Sequence, residues 1–174
     1  DLLIISLEQA VAAPYCGLLL ASAGARVIKV ERPEGDFARS YDNSINGKSA
    51  IFAWLNRGKE SISLDLKNKT DKKIFKNMLK KADVFLSNLT PGSLEKLELD
   101  YKQVKSLNPK LIFCEITGYG NSKLAHSKKA YDFLIQAESG LCSVTGTEEY
   151  PSKVGISITD LSTGLTAYSA ILRG

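Results

Sequence analysis

Three elements fall within the first thirty-one residues, and their spacing restricts the fold more than any other feature of the chain. "LLIIS" (2–6) is an apolar run of strand length. "PYCGLLLASAG" (14–24) reads as a helix with Pro14 in its first turn and Gly24 as its stop, and "ARVIKVE" (25–31) as a second strand. A strand, a helix and a strand so close together form a βαβ unit, which makes the two strands parallel.

The alternation continues. "SISLDL" (61–66) is strand-like, and "TDKKIFKNMLKKA" (70–82) places Ile74, Phe75, Met78 and Leu79 at helical spacing, with Thr70 or Asp71 as its N-cap. "DVFLSN" (83–88) follows as a strand, "PGSLEKL" and "DYKQVKSL" as short helices, and "KLIFCEITG" (110–118) as a further strand of the buried parallel type. The stretch 35–50, rich in Gly, Asp, Asn and Ser, is the longest irregular region. The fold class read from this order is α/β, an open doubly wound, mostly parallel sheet in one domain.

Composition narrows the function classes. Hydrophobic residues at 44% and charged residues at 24% describe a chain able to build a globular core. No apolar run reaches the roughly 18 residues of a membrane span, and the apolar opening is broken by Glu8, Gln9 and Pro14 and lacks a basic leader. The net charge of +4 fits an anionic ligand as well as it fits nucleic acid. The lysines at 72, 73, 76, 80 and 81 lie opposite the apolar stripe of their helix, with no aromatics between them to stack on bases, so they read as a solvated face and no nucleic-acid partner is expected. Cys16, Cys114 and Cys142 are widely spaced among apolar neighbours. With a single histidine, His126, they make no zinc pattern, and the reading is buried reduced thiols in an intracellular protein. The chain opens on Asp1 almost inside a strand and stops at "TAYSAILRG" within a helix, so a longer polypeptide is expected.

A doubly wound sheet binds ligands beyond the carboxyl ends of its strands. The first such turn, "EQAVAAP", lacks the G-x-G-x-x-G of a dinucleotide site, although its small alanines admit close approach to a helix N-terminus. The second strand ends in Glu31-Arg32, where an arginine meets a phosphate or simply pairs with its neighbour on the surface. Asn88 in "NLTPG" either bonds a ligand or closes its own turn. The loop "ITGYGNSKLAHSKKAYDFL" carries Lys123, Lys128, Lys129 and Tyr131 ahead of Asp132, a set that suits a phosphorylated ligand. Neither a G-x-S-x-G elbow nor a P-loop is present. "VGISITDLSTG" (154–164) ends an extended apolar run on Asp160 at the start of a helix, where the residue is either an N-cap or a reactive carboxylate at a strand end.

Taken in order, "VIKVERP", "LNRGK", "ADVFLSNLTPG", "LNPKLI" and "ITGYG" resemble the family III CoA-transferases, the formyl-CoA and carnitine CoA-transferase group. The resemblance covers nearly the whole chain. It implies that residues 1–174 form the N-terminal part of a large Rossmann-like, CoA-binding domain, with the rest of that domain and a small domain absent. It also implies an enzyme that moves CoA between carboxylic acids. Asp160 matches the nucleophile, which passes through an aspartyl anhydride and an aspartyl-CoA thioester without a metal. Arg32, Leu64, Asn88, Leu89 and Lys96 match the CoA groove, Lys129 and Tyr131 the loop near the phosphates and pantetheine, and the backbone of Val11 and Ala12 the turn that faces the thioester. Val11 stands where the formyl-CoA enzymes have a glutamine, and Gln9 is out of register, so formyl is not the expected acyl group. "SLEQAVAAP", "GDFARSYD" and "KVGISITDL" look closest to the branch handling dicarboxylic acids of the succinyl, mesaconyl and citramalate type.

The family further implies an interlocked homodimer and acyl-CoA and carboxylic acid substrates. With no apolar span and with reduced thiols, no membrane partner is expected, and the setting is expected to be cytoplasmic, or mitochondrial in a eukaryote. Two alternatives have their own signatures. An α-methylacyl-CoA racemase carries a His before the Asp of a "GHD" stretch, where this chain has "AYD" with Tyr131, and His126 lies out of register. A truncated, non-catalytic CoA-binding fragment is the other. A helix N-terminus would hold an aspartate ionised, so the cap and nucleophile readings of Asp160 are compatible.

Overall fold

The computed structural model describes residues 2–120 and 128–174. Five parallel strands form one sheet in the order β3-β2-β1-β4-β5. They are β1 (Leu3–Leu7), β2 (Arg26–Glu31), β3 (Glu60–Ser63), β4 (Val84–Ser87) and β5 (Ile112–Glu115). The order runs outward from β1 to β3 on one side and from β1 to β5 on the other, so the direction of winding reverses between β1 and β4. Crossing strands lock in one register, with Ile5 opposite Ile28 on one side and Phe85 on the other.

Alternation along the strands assigns the layers. Ile4, Val27, Val84 and Leu86 face helices α1 (Ala12–Ser22) and α8 (Ile158–Ile171), where they pack on Ala13, Cys16, Leu20, Ala167 and Ile171. Ile5, Val30 and Phe85 face the other way, onto Phe75 and Leu79 of α3 (Lys69–Leu79), Leu94 of α4 (Ser93–Lys96) and Val104 of α5 (Tyr101–Leu107). Phe75, Phe85 and Phe113 meet edge to face at 5.5–5.7 Å, which fills that second layer with directed aromatic contacts. The α/β reading from sequence holds, and the five strands placed between residues 2 and 118 are present, with β1 shifted by one residue, β3 starting one residue early, and the later ends mostly shorter.

Four local expectations are corrected. The segment before Asp160 is not a strand: it is irregular until α8 begins at Ile158, and the backbone N–H of Val154 donates to the Gln136 side chain instead of to a ladder. Asp160 is not the N-cap either. Ser157 holds that position, and Asp160 lies inside the first turn. The N-cap of α3 is Asn68, whose Oδ1 accepts from Thr70 and Asp71, so the residues taken as caps are the first to be capped. The region 35–50 is not wholly irregular, since a 3-10 turn (Phe37–Ser40) and the start of α2 (Ala50–Asn56) lie in it. Asp42 anchors this region by accepting from the backbone of Ser44 and Ala50. Of the three free cysteines, Cys16 is buried, while Cys114 and Cys142 are only partly so.

Candidate functional site

Where the winding reverses, the ends of β1 and β4 are tied by one side chain. Asn88 Oδ1 accepts the backbone N–H of Gln9 at 2.9 Å, and Asn88 Nδ2 donates to the Gln9 carbonyl at 2.8 Å. The next residue, Ala10, has φ +62°, a left-handed conformation that a residue with a Cβ adopts at a cost of about 1 kcal/mol. This strained turn separates two cavities in the crevice that a doubly wound sheet offers to ligands.

The first cavity, about 380 Å³, is lined by Gln9, Ala10, Tyr41, Asn88, Leu89, Lys129, Tyr131, Asp132 and Asp160. The second, about 220 Å³, is lined by Gln9, Arg32, Asp36, Leu64, Lys67 and Leu89. Gln9 and Leu89 border both, so the two are neighbouring halves of one groove. The structure thus brings Asp160, Asn88, Leu89, Lys129 and Tyr131 together, and sets Arg32 and Leu64 beside Leu89 next door. Val11 and Ala12 are buried at the start of α1, and Gln9 and Ala10 present the turn to the cavity. Lys96 is exposed on α4 and lines neither cavity. Lys123 and His126 lie outside the described residues. The described residues include no group of three or more His, Cys, Asp or Glu placed to hold a metal ion.

Asp160 is partly buried in the first turn of α8. Burial, and then the neighbouring Asp132 carboxylate, push its carboxyl up to about 6. These two effects work against the helix end, which by itself favours the ionised form. The favourable N-terminal position is already taken by Asp132, at the start of α6 (Asp132–Glu138). Asp132 Oδ1 accepts the backbone N–H of Thr159 at 2.8 Å, the Thr159 hydroxyl at 2.6 Å and the N–H of Asp160 at 3.4 Å. Burial works upward on Asp132, but these bonds and one from Gln136 outweigh it and hold its carboxyl below the ordinary range. Two acids share one site with their proton affinities driven apart. Tyr41, on the same cavity, is pushed up to about 12 by burial, then by Asp36 and Asp160, so its hydroxyl stays a donor.

Sequence reading missed a buried polar layer below the turn. Ser6 and Glu8 at the end of β1, and Lys29 and Glu31 of β2, point to the α1 side of the sheet where apolar residues stand further back. Lys29 Nζ meets Asp36 Oδ2 at 2.7 Å, Asn56 Oδ1 at 3.1 Å and Glu8 Oε1 at 3.6 Å. Lys59 Nζ pairs with Glu8 and donates to the Pro14 carbonyl at 2.9 Å. Burial pushes the Glu8 carboxyl up, but the two ammonium groups reverse that and hold it lowered. Gly17 on α1 leaves the room this pair needs, since a Cβ there would stand 3.0 Å from both Glu8 Oε2 and Lys59 Nζ. Glu31 does not pair with Arg32. Its carboxylate takes both ends of the Arg39 guanidinium at 2.7 and 2.9 Å, while Arg32 stays exposed and donates to the Gly35 carbonyl. The one available signal was a lysine in the middle of "VIKVE", a run otherwise fit for a buried strand.

The chain matches the family model described as CoA-transferase family III over residues 1–174. It is 39% identical to succinyl-CoA:glutarate CoA-transferase of Mus musculus, over 98% of this chain and 40% of that protein. It is 36% identical to succinyl-CoA:mesaconate CoA-transferase of Haloarcula hispanica, over 99% of this chain and 46% of the relative. A crystal structure of a CAIB/BAIF family protein from Brucella suis superposes with a TM-score of 0.94 at 36% identity, covering 99% of this chain and 47% of that one. The chain therefore spans less than half the length of these relatives. On the motifs, the sheet order and these matches, the chain belongs to the family III CoA-transferases.

Proposed function

We propose that the full-length protein transfers CoA between carboxylic acids, with Asp160 as nucleophile, and that residues 1–174 are the N-terminal part of its large CoA-binding domain. One observation carries this reading: the perturbed carboxyl of Asp160 lines a cavity that continues, past Gln9 and Leu89, into a second cavity bearing Arg32 and Lys67. A long acyl-CoA suits two such halves, with its thioester at Asp160 and its anionic end at the cations.

In the proposed cycle the Asp160 carboxylate attacks the thioester carbonyl. The C–S bond breaks, CoA leaves as thiolate, and a mixed anhydride joins Asp160 to the donor acid. The thiolate attacks the aspartyl carbonyl of that anhydride, which frees the donor carboxylate and leaves an aspartyl-CoA thioester. The acceptor carboxylate then displaces the thiolate from the aspartyl carbonyl. The thiolate attacks the acceptor's carbonyl, giving the new thioester and restoring Asp160. The Tyr41 hydroxyl, on the wall of the same cavity, is a donor available to developing oxyanions. Water competes with each step, so the crevice must close in the intact protein.

The named relatives act on succinyl-CoA with glutarate or mesaconate. Dicarboxylic acids are accordingly the proposed substrate class, and an interlocked homodimer the proposed assembly. The exposed apolar residues Val144, Leu165 and Leu172 support a partner surface, and the free thiols fit an intracellular setting. The proton-moving alternative finds Tyr131, not a histidine, before Asp132. Hydroxylamine trapping tests the reading: incubation of the full-length protein with succinyl-CoA and hydroxylamine should place a hydroxamate on Asp160. Undiminished transferase turnover in an Asp160→Ala variant would refute it.

A further inference from the structure

The buried ionic layer has no part in the cycle above, yet one of its members reaches the cavity wall. Asp36 is 5% exposed. Its Oδ1 accepts the backbone N–H of Ala10 at 3.2 Å and that of Ala38 at 2.9 Å, and its Oδ2 takes the Lys29 ammonium at 2.7 Å. Its own N–H is fixed by Glu31 Oε2 at 3.0 Å, and Glu31 is in turn held by Arg39 and by the Ser61 hydroxyl. Lys29 is held from its other sides by Asn56 and Glu8.

Resting on the reading of Asp160 as nucleophile, we propose that Asp36 is a positioning residue for acyl transfer. Its carboxylate holds the Gln9–Ala10 turn in its left-handed conformation against the cavity that contains Asp160, and Lys29 neutralises it there.

Three observations converge on this role. Ala10 has a Cβ, and its φ of +62° has no local cause, so something outside the turn must maintain it. Asn88 fixes both polar groups of Gln9, which leaves the Ala10 N–H as the remaining point of attachment, and Asp36 takes it. Finally, a buried ion pair is a poor source of stability, because desolvating both charges offsets most of their attraction; its use here is geometric. Asp36 also lines the second cavity, but its bond to the turn is to Ala10, which lines only the first. A turn displaced by about 1 Å would cost the reaction on the order of a hundredfold, whereas binding of the distant nucleotide end would hardly change.

The test uses the full-length protein with succinyl-CoA as donor and glutarate as acceptor. Asp36→Ala is expected to lower kcat roughly ten- to a hundredfold with KM for succinyl-CoA changed less than threefold. Hydroxamate formation at Asp160 should slow in parallel. Asp36→Asn combined with Lys29→Met keeps an Oδ1 acceptor for the Ala10 N–H without the charge, and should recover most of kcat. Should Asp36→Ala fail to fold, Asp36→Leu with Lys29→Met fills the same space with apolar groups, and it should fold but remain slow. Wild-type kcat in any folded variant that lacks the acceptor overturns the proposal, as does equal loss in the Asn and Leu pairs. Asp160→Ala, run alongside, separates the two readings. Turnover retained there refutes Asp160 as nucleophile; turnover lost there but intact in the Asp36 variants that lack the acceptor refutes the positioning role alone.

Discussion

The Asp132 carboxylate caps the helix that carries Asp160: its Oδ1 accepts from the N–H of Thr159 at 2.8 Å and from that of Asp160 itself at 3.4 Å. The cap and the candidate nucleophile are thus two different acids, and the capping charge raises the proton affinity of the other. For a nucleophile this is a compromise. A carboxylate that gains a proton near pH 6 is more basic than an ordinary aspartate, and still ionised at neutral pH.

Activity is therefore expected to rise through about pH 6 as Asp160 loses its proton. In Asp132→Asn the amide oxygen still accepts from Thr159, but the charge is gone. The acidic limb of the kcat/KM profile should then move to lower pH. The move should be incomplete, because burial is the larger cause of the shift and it remains. A limb that stays in place would show that Asp132 exerts no electrostatic control.

The same displacement has a stability consequence. Asp160 prefers its proton more in the folded protein than in the unfolded chain, where an aspartate titrates near 3.8. Relative to an uncharged side chain its contribution is near zero below about pH 4, and stability is lost as pH rises through about 6, leaving a penalty at neutral pH. Asp160→Asn should stabilise the protein at pH 7.5 by about 1–2 kcal/mol after allowance for partial exposure, and should be neutral at pH 4. Thermal melts of the two proteins at both pH values measure this.

The sheet was legible because its signal is local: βαβ spacing and apolar runs report a buried parallel strand whatever lies around it. The crevice followed from topology, and with it Asn88 and Arg32 at strand ends, whereas Leu89 came only from the family resemblance and Asp160 from that resemblance together with a strand end that the fold does not have. The polar layer was not legible, because Glu8, Lys29, Asp36 and the Asn56–Lys59 turn come from four separate stretches of the chain and meet only in the fold. Of the two readings left open for Arg32, the pair with Glu31 does not form, because Arg32 is the neighbour of Glu31 in sequence and Arg39 its neighbour in space. The helix start expected at Asp160 lies three residues earlier, at Ser157, because "GISIT" has the composition of a strand. In the fold this segment is instead held by side chains, Gln136 at Val154 and Asp132 at Thr159, that no local pattern announces.

Asn88 is expected to matter for structure and catalysis together. Asn88→Ala removes both bonds to the Gln9 backbone and leaves a partly buried N–H and C=O without their partner, at a cost of about 1–3 kcal/mol. Asn88→Asp retains the acceptor for the Gln9 N–H but faces the Gln9 carbonyl with a charged oxygen, so it should recover little. Denaturant midpoints combined with kcat at saturating acyl-CoA check both parts, and wild-type values for Asn88→Ala would show that the turn needs no tie to β4.

The approach of α8 to α1 sets how far Asp160 stands from the turn, and Gly164 governs that approach. A Cβ on Gly164 would lie 2.6 Å from the Ala12 carbonyl oxygen and 3.2 Å from the Cys16 nitrogen, both backbone atoms of α1 that no rotamer change can move aside. Alanine would ordinarily favour a helix interior over glycine by about 1 kcal/mol. Here the clash must push the helices apart, opening the contact of Ala167 and Ile171 with Ala13 and Leu20. Gly164→Ala is thus expected to destabilise by about 1–3 kcal/mol despite its better helix propensity. The displacement carries Asp160, one helical turn away, outward from the cavity, so kcat should fall while the affinity for CoA changes little. Gly164→Ser should behave like Ala, since its Cβ meets the same carbonyl. A Gly164→Ala protein with raised melting temperature and unchanged kcat would mean that the two helices separate freely and that their spacing does not place the nucleophile.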